Sequence, residues 1–175
     1  MKQVRLPFKF WILFGIALLL NGCGYHLVGT GSSLPSHLKT LFIPLFANSS
    51  SESEIHRELT SAIINSFITD GRLKIVRKGN SDMVMKGSLF YYDLRAVSFT
   101  SSDFASDYIV KLGVEVEVID KINDKPYMKK NKFTTKWDYR ATSDIVDTES
   151  ARLAALEEAY KELGNRLVSL LIDQF

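Results

Sequence analysis

Between Tyr108 and Ile119 apolar and polar residues alternate with few faults. Tyr108, Val110, Leu112, Val114, Val116 and Val118 fall on one face of an extended chain, and Lys111, Glu115 and Glu117 on the other. The stretch from Tyr127 to Tyr139 repeats the pattern, with Tyr127, Phe133, Trp137 and Tyr139 on one side and Lys130, Lys132 and Lys136 on the other. If Lys121 to Asp124 is the turn and Asp120 pairs with Lys125, one register matches both faces. Val118 then meets Tyr127, Leu112 meets Phe133, Tyr108 meets Trp137, and Glu115 meets Lys130 on the polar side. A slip of one residue would turn every side chain to the wrong face, so the pattern predicts a β-hairpin.

Other segments read less cleanly. Thr40 to Phe46 is a short strand containing Pro44, which has no amide hydrogen for a ladder and so predicts an edge position or a bulge. Leu73 to Val76 is a second short strand. Met83 to Phe99 is a long one, whose alternation fails around Leu89-Phe90-Tyr91-Tyr92 and so predicts a bulge or burial on both faces. Thr100 to Ser106 is a polar loop carrying Phe104.

Helical spacing appears twice. Ile55, Leu59, Ala62, Ile63, Ser66 and Phe67 make one stripe, with a capping box at Ser51 and Glu54 before it and Asp70-Gly71 to end it. Leu153, Leu156, Tyr160, Leu163, Leu167 and Leu171 make another within a helix from Asp147 to Asp173, and Asp147 and Glu149 in its first turn suit the helix dipole. Strands grouped together with helices at separate points predict an α+β fold, with two helices packed on one face of a four- to five-stranded mixed sheet.

The N-terminus changes the picture of where this body works. Lys2, Arg5 and Lys9 precede an apolar run from Phe10 to Leu20, which is the length of a signal-peptide core and short of the roughly 20 residues a membrane span needs. The run closes on Leu20-Asn21-Gly22-Cys23, which resembles a bacterial lipobox. Residues 1–22 are then a removed signal peptide, 23–38 a lipidated tether rich in Gly and Ser, and 39–175 a single domain. The Cys23 thiol receives a diacylglyceryl group and its freed amine an acyl chain. Several chains on one residue anchor durably where one holds weakly. Gly24, and not Asp, after the cysteine favours the outer membrane, on the periplasmic side. The alternative reading of Cys23 is a buried core thiol.

Composition then narrows the function. The formal charge of the whole chain is +2, but removing three of its 22 basic residues with the leader leaves 19 against 20 acidic ones, a balance of −1 that does not suit a nucleic-acid partner. One cysteine excludes an internal disulfide. His26, His37 and His56 lack metal-ligand spacing. Glu115 and Glu117 read as partners of cross-strand lysines. Ser36 and Lys39 have the Ser-x-x-Lys spacing of some hydrolases but fall between a tether and a strand. Gly29-Thr30-Gly31 lacks the rest of a dinucleotide fingerprint. No catalytic set emerges and no cofactor is expected beyond the acyl groups on Cys23.

The mature sequence Cys23-Gly24-Tyr25-His26-Leu27, followed by Gly29-Thr30-Gly31-Ser32-Ser33-Leu34-Pro35 and a strand containing Ile43-Pro44, resembles the LptE family of lipopolysaccharide-assembly lipoproteins. Glu54-Ile55 through Leu59-Thr60, Gly71-Arg72-Leu73, Ser81-Asp82, Gly87, Asp107-Tyr108, Glu149-Ser150-Ala151 and Ala154-Ala155-Leu156 continue the likeness in order. The resemblance implies a plug within the lumen of an LptD-type β-barrel that helps the barrel fold and binds lipopolysaccharide. It also implies two helices on a four-stranded sheet.

In that family, basic residues near the sheet tip and in the loop before the last helix are tied to lipopolysaccharide. The matching positions here lie near Ser101 and Val146, and neither is basic. Arg95, Lys136 and Arg140 are the candidates to substitute, since guanidinium and ammonium groups suit phosphate. The alternative is that they are solvated surface charges. Ile64 and Ile68 share a helix face opposite the main stripe and either touch another core element or face a partner. Phe104 either inserts into the barrel partner or touches acyl chains, or it folds back on the sheet. Two other functions fit the same anchor: a pilotin-like chaperone for another outer-membrane protein, and an anchored periplasmic enzyme.

Overall fold

The computed structural model describes residues 34–173. The signal peptide, Cys23 and most of the tether lie outside the described residues. The strands are β1 (Thr40–Phe42), β2 (Ala47–Asn48), β3 (Lys74–Ile75), β4 (Met83–Phe99), β5 (Ala105–Asp120) and β6 (Lys125–Arg140). The helices are α1 (Ile55–Asp70), between β2 and β3, and α2 (Ile145–Ile172), after β6. The sheet order is β3-β1-β4-β5-β6, with β2 also on β4. Pairings among β3, β1, β2 and β4 are parallel, and β4-β5-β6 is antiparallel, so the sheet is mixed as expected.

The expected strand from Thr40 to Phe46 is divided. Pro44 falls in the gap between β1 and β2, and since β1 lies between β3 and β4, proline is accommodated by interruption and not by an edge position. Phe46, in the same gap, turns its ring under the sheet, where a side chain on Gly87 would meet it at 2.2 Å. Its amide donates to the buried Thr60 hydroxyl of α1 at 3.1 Å. In β4 the register slips between Leu89 and Tyr91, where the alternation failed.

The hairpin register holds at the turn, with Asp120 opposite Lys125, and then slips twice. Beyond Val116 each β5 residue meets a β6 partner two positions further on than the simple register requires, so Leu112 faces Thr135 and Tyr108 faces Tyr139. An even slip keeps every side chain on its expected face. Glu115 therefore sits opposite Lys132 and reaches diagonally to Lys130, with which it forms an ion pair at 2.5 Å.

Helix α1 buries Ile55, Leu59, Ile63 and Phe67, and Gly71 closes it in the left-handed conformation (φ 75°). The capping box does not form: Glu54 precedes the helix with φ 69° and no side-chain cap. The Asn48 carboxamide organises that turn instead, accepting from the Ser50 amide and donating to the Glu52 carbonyl, while the Ser51 hydroxyl turns to the Tyr92 carbonyl. Helix α2 starts two residues before the expected Asp147, capped by Asp144, whose carboxylate accepts from the Val146 and Asp147 amides. Its stripe buries Leu156, Tyr160, Leu163, Leu167 and Leu171, but Leu153 is exposed, in an open groove it shares with Arg57, Glu58 and Ala62 of α1. The helices touch closely at Gly164, where an added Cβ would meet the Ser66 hydroxyl at 2.3 Å. Before β1, Leu34 packs on the core and Leu38 is buried within it.

Candidate functional site

The sheet divides across its length. Near β1, β2 and β3 the inward residues Leu41, Met83, Met85, Leu89, Val114, Val116 and Val118 are fully buried. Beyond the β4 bulge only three strands continue, and apolar side chains surface: Leu94, Val97 and Phe99 on β4, Phe104 in the β4–β5 loop, and Ile145 and Val146 in the first turn of α2. Phe104 is 73% exposed and Ile145 85%. A cleft of about 730 Å³ opens here between the β4–β5 loop and the β6–α2 loop, with Phe104, Tyr108 and Ile145 among hydroxyls of Thr100, Ser102 and Thr142.

Both walls of the cleft are held by local bonds. The Thr100 amide donates to the Phe104 carbonyl at 2.8 Å, and the Phe104 amide returns to the Thr100 hydroxyl. Across the cleft the Thr142 amide donates to the Thr148 hydroxyl, which donates in turn to the Asp144 carbonyl. Arg152 fastens the start of α2 to the sheet. Its guanidinium pairs with Glu149 and donates to the Tyr92 hydroxyl, and it stays fully protonated because the carboxylate and the phenol oxygen both favour its charge. Burial pushes the Tyr92 phenol up. Apolar groups are thus exposed on a firm frame, which marks an interaction surface more than a loose loop.

The face of the sheet away from the helices carries the charge. Thr135 and Trp137 of β6 both donate to one Glu162 oxygen of α2, at 2.6 and 2.8 Å, so odd-numbered β6 residues there face the helix and even-numbered ones face away. The register sets Lys136 directly opposite Lys111, with Asp93 on the other side of Lys111. Tyr91, Lys111, Thr134 and Lys136 line a depression of about 520 Å³. Asp93 is spent on Arg95, whose Nε and Nη2 both donate to one carboxylate oxygen at 2.8 and 2.6 Å and whose charge that contact reinforces. Arg140 reaches Asp107 at 3.4 Å, and the Ser106 hydroxyl, then Ser98 and Arg140, hold that carboxyl below its usual range. Among the described residues Lys111 and Lys136 form no ion pair. Two like charges directly across a ladder repel, so an anion between them is favoured.

The sequence candidates are therefore partly gathered. Arg95, Lys136 and Arg140 share the helix-free face, two of them already paired with aspartates. Ile64 is half-buried and packs against the core, whereas Ile68 is 58% exposed, so the two do not form one free patch. Phe104 stands out from the sheet. Sequence reasoning missed Lys111 as the partner of Lys136, because only the two-residue slip sets them opposite. It missed Ile145 because the helix starts earlier than the apolar stripe suggests, and Asp144 was the available signal.

A second polar cluster lies at the other end. Asp120 is 2% exposed and accepts from the Ile122 and Asn123 amides and from Asn123 Nδ2. His37 Nε2 stands 3.3 Å away. The Asn123 side chain foremost, with those amides and His37, holds the Asp120 carboxyl far below the usual range. Asp82 accepts from the Lys39 and Thr40 amides and is lowered by them. The Ile122 and Asn123 donors close the β5–β6 turn, while His37 and the Lys39 and Thr40 amides join the start of the body to the sheet, so this cluster reads as a structural clasp.

Comparison with known proteins completes the picture. No curated sequence matches the chain. Several solved structures share its fold. The hypothetical protein CT253 from Chlamydia trachomatis aligns with a TM-score of 0.54 at 8% identity, covering 77% of this chain and 98% of that one. An uncharacterized lipoprotein B from Nitrosomonas europaea gives 0.53 at 13%, covering 78% and 87%. The rare lipoprotein B from Shewanella oneidensis gives 0.50 at 17%, covering 71% and 90%. A profile described as LptE, lipopolysaccharide-assembly, matches residues 38–171, from the first core leucine through nearly the end of α2, and the chain belongs to that family.

Proposed function

We propose that this chain is a lipid-anchored outer-membrane protein on the periplasmic side. It partners an LptD-type β-barrel, supports its assembly and takes part in delivering lipopolysaccharide to the outer surface, binding lipopolysaccharide as it does so. It works by contact and not by catalysis. The observation that carries this reading is the family match over residues 38–171, nearly all of the described body. The distal end supports it chemically. Lipopolysaccharide joins acyl chains, sugars and phosphates. The cleft offers apolar and hydroxyl groups, and Lys111 and Lys136 offer an uncompensated pair of cations a short way along the sheet.

The test is a pull-down from detergent-solubilised outer membranes. Recovery of a stoichiometric large β-barrel is expected. Recovery of a secretin, or a lone monomer with hydrolytic activity, would overturn the reading. Mass spectrometry of the mature product should find acyl groups on Cys23. A Lys111→Glu/Lys136→Glu variant should capture lipopolysaccharide several-fold less well, with most of the loss disappearing at high salt.

A further inference from the structure

The antiparallel half of the sheet ends in β6, a strand of 16 residues that has no neighbour on its outer side among the described residues. The opposite edge strand, β3, has two residues. The direction of the β6 backbone groups follows from two bonds. The Ala141 amide donates to Ser106 of β5 at 2.8 Å, so odd-numbered residues at this end point inward. The Lys132 amide donates instead to the Asn131 side chain at 2.9 Å, so even-numbered residues point outward. Asn131 therefore caps the first outward amide. The outward groups of Thr134, Lys136, Asp138 and Arg140 have no partner among the described residues, and all four residues are exposed.

This open stretch is held rigid from behind. Thr135 and Trp137 are pinned to Glu162, and Tyr139 stacks on Tyr108 with ring centres 5.3 Å apart. A strand that arrives pays little to order this edge. Charge then selects what arrives. On β6, Lys130 is paired with Glu115 and Arg140 with Asp107, which leaves Lys125, Lys129, Lys132 and Lys136 against one acid of the strand, Asp138. A second copy pairing antiparallel about Lys136 would set Lys136 against itself and Lys132 against Arg140. Edge lysines ordinarily guard a sheet against such self-association. They do not guard it against a strand of opposite charge.

We propose that the outer edge of β6 from Thr134 to Arg140 is a docking site for an extended acidic segment of a partner protein, added to the sheet as a further strand. The inference is independent of which protein supplies the segment and goes beyond the reading above.

The experiment uses the full chain in detergent micelles and a labelled ten-residue peptide of alternating Val and Glu, with binding read by fluorescence anisotropy. Saturable binding is expected, with slowed hydrogen exchange at the Thr134, Lys136, Asp138 and Arg140 amides. A peptide N-methylated along one edge should bind at least about tenfold more weakly, and a Val-Gln peptide should also bind more weakly. Lys136→Pro removes only an outward amide, so the fold should survive while binding is lost. Lys136→Glu keeps the backbone and should weaken binding by charge alone. Absence of saturable binding, binding indifferent to methylation, or protection of these amides that grows with protein concentration without peptide would each overturn the proposal. None of these results touches the barrel pull-down, so the two readings fail separately.

Discussion

The same three strands behave differently at their two ends. In the half beside β1, β2 and β3, two helices seal one face and the inward residues lose all contact with water. Past the Phe90 bulge the strands carry residues of similar character, yet Leu94, Val97, Phe99 and Phe104 reach solvent because the first turns of α2 cover that end only in part. The difference shows where free energy went. Burial of each large apolar side chain in the sealed half contributes roughly 1.5–3 kcal/mol to folding. In the open half that gain is not taken within the monomer and remains available to a partner.

The contrast can be broken most severely at its boundary. Leu112 is fully buried, and Leu112→Asp should cost about 4 kcal/mol or more and unfold the body in thermal melts, since an unpaired carboxylate would lie in the core. A smaller effect is expected in the sealed half from Gly87→Ala. The new methyl would stand 2.2 Å from the Phe46 ring, and overpacking of this kind costs about 1–3 kcal/mol in chemical denaturation.

A third change sharpens the comparison through pH. Folding holds the Asp120 carboxyl below its unfolded value of about 4, so its stabilisation is complete above that pH and is lost as pH falls further. Asp120→Asn should lower Tm at pH 7, and the gap to the parent should narrow below about pH 4. A constant gap down to pH 2 would show that the charge is not the cause. The smallest stability effect is expected in the open half. A Phe104→Ser/Ile145→Ser variant should stay within about 0.5 kcal/mol of the parent, while its capture of barrel or lipopolysaccharide falls. A large loss of stability there would mean that this end is packed and not waiting for a partner.

Several features were legible because they repeat locally. Alternation in β5 and β6 was enough to assign faces, since parity survives an even slip, and the failed alternation at Phe90 marked a real bulge. Gly71 marked the end of α1 because few other residues accept positive φ at low cost. The Ser51–Glu54 box misled because a local rule competes with neighbours it does not contain: Asn48 took over the turn and Tyr92 took the serine. Of the candidate surface, the sequence pointed to Phe104 and to three cations. It did not show that Arg95 and Arg140 are each held by an aspartate while Lys111 faces Lys136.

Hydrophobic periodicity and the glycine, proline and capping residues determined which segments are helix or strand and which side of each is apolar, because those preferences act within a few residues. Tertiary structure alone decided the register through two bulges, the pairing of lysine with lysine, and how far α2 reaches along the sheet. Those outcomes depend on contacts between residues far apart in the chain, whose energies no local pattern contains.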